Sequence, residues 1–241
     1  MKIIAQQSNS LNTYDFRNNV IQKNYIDGMT LNVALTQDNK ILIYNISANN
    51  DAIVNTIETS TLFELNNYEL ELLDDALKDL SKRKMSKNIY INLAPFRIGV
   101  LSDENIKEMS ERMNLYIDKI NEIITKYPNL KIHLHSINKS LITIMKQKIK
   151  NNPIGAVVYN RDADFIDVDY YVIMMSAFDD AIIDLLLREE KQVLLFIYSD
   201  YYISYVYEHY IGENSTPYLA QVFNKIKIIT KFPEIINKVF N

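Results

Sequence analysis

The chain has 241 residues, 48% of them hydrophobic, with 26 basic against 30 acidic side chains and a formal net charge of −4. That length and apolar content can bury a substantial core, while the mildly acidic balance supplies no basic face to neutralise nucleic-acid phosphates. There is no cysteine, so disulfides, thiol nucleophiles and Cys-bearing zinc sites are excluded.

The opening MKIIAQQSNS has an apolar run too short for a secretory signal, so an unprocessed, cytoplasmic chain is expected. Lys2–Ala5 reads as a strand and Asn12–Asn24 as a helix; the apolar runs Met29–Leu35 and Ile41–Tyr44 follow. Glu69–Leu80 has helical periodicity, and Ile89–Leu93 is strand-like. Asp103, with Glu104 in the next turn, is placed to cap a long amphipathic helix running to Lys126. Lys131–His135, the helix Lys139–Ile149, Ala156–Tyr159, Tyr171–Met175, Val193–Tyr198 and Lys225–Thr230 complete the alternation. Tyr170 to Leu187 is the longest apolar region, but Asp179, Asp180 and Asp184 interrupt it, so no membrane span is expected. The four glycines are scattered, which rules out the clustered loops of dinucleotide folds and P-loop NTPases. Strand and helix alternating about eight times predict a closed (β/α)8 TIM barrel. No linker composition intervenes, so residues 1–241 read as a single domain.

The strands alternate in a telling way. Met29, Leu31, Val33 and Leu35 share one face, and Thr30, Asn32 and Ala34 share the other. Ile89, Ile91 and Leu93 oppose Tyr90 and Asn92; Ile132 and Leu134 oppose His133 and His135. With the apolar faces packed on helices, three strands send polar groups inside, where barrel chemistry gathers at the C-terminal strand ends.

Short motifs recur in a fixed order: Ala5-Gln6-Gln7-Ser8, Leu11-Asn12-Thr13, Asp15-Phe16, Thr30-Leu31-Asn32, Thr36-Gln37-Asp38-Asn39, Tyr44-Asn45, Asn92-Leu93-Ala94, Phe196 and Thr230-Lys231-Phe232-Pro233. In that order and spacing the chain resembles, along nearly its whole length, the glycerophosphodiester phosphodiesterases, metal-dependent TIM barrels that release glycerol 3-phosphate. Phe196 falls where that family often has Trp. Residues 46–70 would form a short insertion after the second strand, and 199–224 an extended Tyr-rich βα segment.

The resemblance keeps the scaffold positions Asn12, Thr13, Phe16, Thr36, Asp38, Thr230 and Pro233 but not the reacting ones. The family's acid and base histidines match Gln6 and Tyr44, and its phosphate-contacting Arg matches Gln7. Its metal-binding carboxylates match Thr30, Asn32 and Asn92. Gln cannot exchange a proton near neutral pH, and Tyr titrates near 10 unless strongly shifted. A Thr/Asn/Asn set carries no charge to offset cation dehydration. The resemblance therefore implies no catalytic residue, metal or cofactor. Its pocket would comprise Gln6, Gln7, Thr30, Asn32, Tyr44, Asn92, His133, His135 and Phe196, and would hold a small polar ligand or engage a protein partner. The alternatives are an active phosphodiesterase using Ca or Mg, or a relocated hydrolytic site on His133 and His135.

Three other groupings stand out. His133 and His135 share a strand face; lacking a third ligand, they read first as hydrogen-bonded interior histidines. His209 is expected at the surface. The run Asp162–Asp169 is placed in the loop on the functional face as a solvated, capping segment. Tyr198–Tyr210 would begin at the barrel mouth, with Tyr201, Tyr205 and either Ile203 or Tyr202 on packing faces and contact area left for a binding role. There is no Gly-x-Ser-x-Gly elbow, and His135 and Ser136 diverge as strand neighbours.

Overall fold

The structure is a computed structural model and describes residues 1–7, 12–45, 50–65, 68, 70–96, 103–161, 165–213 and 215–240. Its first strand β1 (Lys2–Gln6) is followed by α1 (Thr13–Gln22), the long β2 (Ile26–Leu35) and β3 (Ile41–Tyr44). The short helix α2 (Asn50–Thr59), the two-residue β4 (Glu71–Leu72) and α3 (Leu73–Lys82) come next. Then follow β5 (Asn88–Leu93), α4 (Asp103–Thr125), β6 (Lys131–Ser136), α5 (Lys139–Lys148) and β7 (Ile154–Val158). The chain continues through β8 (Tyr170–Met174), α6 (Asp180–Arg188), β9 (Gln192–Ile197), α7 (Asp200–Tyr210), α8 (Pro217–Lys225), β10 (Lys227–Thr230) and α9 (Pro233–Phe240).

Strands β1, β2, β5, β6, β7, β8, β9 and β10 pair in parallel, and β1 closes the ring by pairing both β10 and β2. This is the predicted TIM barrel. Strands β3 and β4 lie outside it, as an antiparallel extension of β2. The run Ile41–Tyr44 is therefore a strand but not a barrel stave. The expected helix Glu69–Leu80 is corrected too: Glu71 and Leu72 pair with β3, and the helix begins only at Leu73.

Local chemistry explains the element ends. The Asn12 side chain accepts from the Asp15 N–H at 2.8 Å and caps α1, whose Phe16 and Val20 bury one stripe. Thr216 caps α8, with Pro217 opening the helix where a missing N–H costs nothing. Between β2 and β3, Thr36 Oγ1 donates to Asp38 at 2.7 Å and accepts from the Lys40 N–H at 2.8 Å. Asn39 takes a left-handed φ of 63° there, a conformation Asn tolerates. Thr230 Oγ1 accepts from the Phe232 N–H at 3.0 Å just before α9. The capping side chains proposed at Asp103 and Glu104, and the motif residues Ser8 and Leu11, lie outside the described residues.

The alternation expected in the strands is observed. Met29, Leu31, Val33, Ile89, Ile91, Leu93, Ile132 and Leu134 belong to the large core between barrel and helices. A separate inner cluster contains Ile4, Tyr90, Tyr170, Val172, Leu194, Phe196 and Ile229. The insertion is tied to the barrel by α4, where Arg112 Nη2 donates to the carbonyls of Thr36 at 3.0 Å and Glu58 at 3.1 Å. Buried Arg17 pairs with Glu71 and Asp79, fixing α1 against β4 and α3. Among the described residues, no helix is long and apolar enough to cross a membrane.

Candidate functional site

At the C-terminal strand ends the barrel encloses a cavity of about 280 Å³. Its polar lining is supplied by Gln6, Thr30, Asn32, Tyr44, Asn92 and His135. Each lies on a strand with its side chain on the inward face, so the pleat alone aims these groups at one another. Tyr44 comes from outside the barrel: β3 pairs in register with β2, setting Tyr44 opposite Asn32. Phe196, Val172, Met174 and Ile229 form the apolar wall from the last strands.

Two of the expected pocket residues do not line it. Gln7 is buried, but its Nε2 donates to Thr13 Oγ1 at 3.3 Å; because Gln6 faces in, its neighbour must face the other way. His133 shares the inward face with His135 but lies one pleat repeat nearer the N-terminal end. There its Nε2 meets Asn88 Oδ1 at 3.2 Å and its ring stacks on Tyr90 with centroids 4.6 Å apart. The two imidazoles therefore do not act on one ligand in the cavity.

The hydrogen bonding is uneven. Asn92 Nδ2 donates to Asn32 Oδ1 at 3.0 Å, and His135 Nδ1 meets the Tyr170 hydroxyl at 3.0 Å. Gln6 Nε2, Thr30 Oγ1 and Asn32 Nδ2 are buried with no hydrogen-bond partner. Unpaired buried polar atoms are costly, about 1–3 kcal/mol each. Three around one cavity mark a place where a ligand or water completes the bonding.

Electrostatically the site is neutral. Burial, with a smaller contribution from His133, pushes His135 down to about 3. Burial and the nearby Lys227 push His133 down to about 4. Both rings are uncharged at neutral pH, and among the described residues no Asp, Glu, Lys or Arg lines the cavity. A divalent cation does not fit this donor set. Thr30, Asn32 and Asn92 carry no charge, and the Asn32 carbonyl oxygen is already engaged by Asn92. The Asn32 amide nitrogen, buried and without a partner, is no metal ligand. Among the described residues, no three His, Asp or Glu side chains gather to hold a metal.

The remaining sequence candidates are placed elsewhere. Asp162 and Asp164 lie outside the described residues. Asp167 pairs with Lys191 at 2.7 Å, and Asp169 accepts from the Ile154 N–H at 2.7 Å, beside the start of β7 and β8. For Asp167 and Asp169 that corrects the expectation of an acidic loop on the functional face, since both lie toward the opposite end of the barrel. In α7 the packing residues are Ile203, Val206 and Tyr210, whereas Tyr201 is 72% exposed and Tyr205 is also exposed. His209 is half-buried, 2.7 Å from Asp180, rather than free at the surface. Sequence reasoning missed Tyr170, Met174, Tyr159 and Val54. Tyr170 and Met174 continue the alternation through Val172 and were legible from it; Val54, brought in by α2, carried no signal.

No protein-family model matches the chain. It is 24% identical over 261 aligned residues to the arginine–tRNA ligase of Blochmanniella floridana, spanning 92% of this chain but only 44% of that protein. In fold it is similar to a phosphodiesterase of Oleispira antarctica solved with its product sn-glycerol-3-phosphate, with 16% identity, a TM-score of 0.72, and 99% of this chain and 96% of that one covered. A glycerophosphodiester phosphodiesterase of Parabacteroides distasonis superposes with a TM-score of 0.71 at 13% identity, covering 99% and 95%. Another from Thermotoga maritima gives 0.65 at 15% identity, covering 98% and 97%. The shared property is the fold.

Proposed function

We propose that this chain is a glycerophosphodiester phosphodiesterase-like barrel that binds a small uncharged polar ligand at the C-terminal strand ends without hydrolysing a phosphodiester. The observation that carries the reading is the neutral cavity in which Gln6, Thr30 and Asn32 each hold a buried polar atom without a partner. Two of these atoms are amide donors, so they suit an oxygen acceptor and repel a cation. A phosphate would bring buried negative charge with no cation in the lining to offset it. General acid–base work also lacks a proton carrier, because Gln6 does not titrate and His135 stays neutral.

The test uses the purified chain with glycerophosphocholine and added calcium or magnesium, alongside titration calorimetry with glycerol. No release of glycerol 3-phosphate is expected, together with glycerol binding that weakens at least tenfold in Asn32→Leu. Hydrolysis that disappears in Asn32→Ala would overturn the proposal. The second reading, an active phosphodiesterase, is favoured by the whole-chain fold match to an enzyme solved with its product, and the same assay decides it.

A further inference from the structure

Six of the seven connections between the barrel's eight strands carry at least one helix, but among the described residues of 159–169, between β7 and β8, none occurs. Among the described residues, Phe165, Ile166 and Ile142 of α5 lie beside the outer face of β7. A groove of about 360 Å³ lies beside Ile142, Ala156, Val158 and Tyr171. It shares Ile137, Val157 and Tyr159 with the cavity inside the barrel, so the two spaces adjoin at the C-terminal end of β7. Along this path Ile137 is 38% exposed, Tyr159 56% and Phe165 39%. Three exposed apolar side chains grouped beside a pocket with unpaired donors are unlike the scattered single apolar side chains of an ordinary surface.

We infer that the ligand is an uncharged amphiphile, its hydroxyl- or ester-bearing head seated on Gln6, Thr30 and Asn32 and its alkyl chain laid in the groove over β7. The inference rests on the reading of the cavity as a site for an uncharged polar group. Geometry supports one molecule doing both. The cavity's donors sit at its floor on β1 and β2, and its apolar wall of Val157, Val172 and Met174 leads across to β7 and the groove. Among the described residues lining that wall and the groove, the one charged side chain is Lys139.

The experiment is calorimetric titration of the full chain with glycerol, 1-octanoylglycerol and octanoate, all below the concentration at which the amphiphiles aggregate. Each buried methylene contributes roughly a factor of four in affinity, so 1-octanoylglycerol should bind at least about tenfold more tightly than glycerol. Phe165→Ser, a change at a half-open surface position, should lower that ratio by at least about threefold. Equal affinities for glycerol and 1-octanoylglycerol would overturn the chain's placement while leaving the head site intact. An unchanged ratio in Phe165→Ser would likewise overturn the groove. Octanoate binding as tightly as 1-octanoylglycerol would show that the head is not recognised. Failure of both glycerol and 1-octanoylglycerol to bind would remove the underlying reading and this inference with it.

Discussion

The two ends of the barrel interior contain similar residue types in opposite states. Near the N-terminal strand ends, the Tyr90 hydroxyl accepts from Gln192 at 3.4 Å and from Lys227 at 3.3 Å, while His133 bonds Asn88 and stacks on Tyr90. Tyr170 packs edge-on against Tyr90 and both histidines. Gly155 makes room for it: a Cβ there would lie 2.5 Å from the Tyr170 ring. One polar atom in this layer, His133 Nδ1, lacks a partner. Around the cavity at the other end there are three, Gln6 Nε2, Thr30 Oγ1 and Asn32 Nδ2. The contrast separates structure from function: a polar layer bonded to itself plugs the barrel, and a polar layer left unbonded waits for something to bond.

Removing a member of the closed layer should have the largest effect. Tyr90→Ala deletes a fully buried ring and should destabilise the fold by about 3–5 kcal/mol in urea denaturation; a loss below 1 kcal/mol would show that the plug is not a packed unit. The open layer, in contrast, should accept new chemistry. The triple variant Thr30→Glu, Asn32→Asp and Asn92→Glu places carboxylates where the resemblance expects metal ligands. It should gain about 2.7 kcal/mol of stability from calcium at a hundred times the dissociation constant, whereas the natural chain should gain none. A triple variant indifferent to calcium would mean these positions do not converge as described.

The junction of the two layers should be visible as a pH dependence. His135 is held down to about 3 in the folded chain, chiefly by burial, but titrates near 6.5 when unfolded. Its contribution is complete above pH 6.5 and is lost as pH falls toward 3, because the unfolded chain takes up the proton first. Between pH 7 and 5 this amounts to about 2 kcal/mol. Denaturation curves of His135→Gln should lack that component; identical pH slopes would place the ring in water. The smallest effect belongs to the open layer. Thr30→Val removes an unpaired buried hydroxyl and should leave stability unchanged or raise it by about 1 kcal/mol. A loss of 2 kcal/mol would reveal a partner for that hydroxyl and weaken the contrast.

Much of this was readable before any coordinates. Alternation in Met29–Leu35, Ile89–Leu93 and Lys131–His135 assigned the faces of β2, β5 and β6, because a strand leaves each side chain only two directions. It named Thr30, Asn32, Asn92, His133 and His135 as inward residues, whereas Gln6 came from the resemblance. Face is not depth, however, and pattern could not say that His133 belongs to the plug and His135 to the cavity. Gln7 was misplaced because motif matching ignored the same alternation. In α7, five closely spaced tyrosines looked interchangeable, and only the position of Asp180 and α8 selected Ile203, Val206 and Tyr210 as the buried stripe.

By itself the sequence determined the barrel and the inward polar faces of β2, β5 and β6, since these follow from periodicity. Tertiary structure alone decided that β3 leaves the ring to bring Tyr44 over the cavity, and that Asn92 bonds Asn32 and leaves its amide nitrogen unpaired. It also decided that, among the described residues between β7 and β8, no helix occurs. Those features depend on strand register and on contacts between residues distant in the chain, which no local pattern encodes.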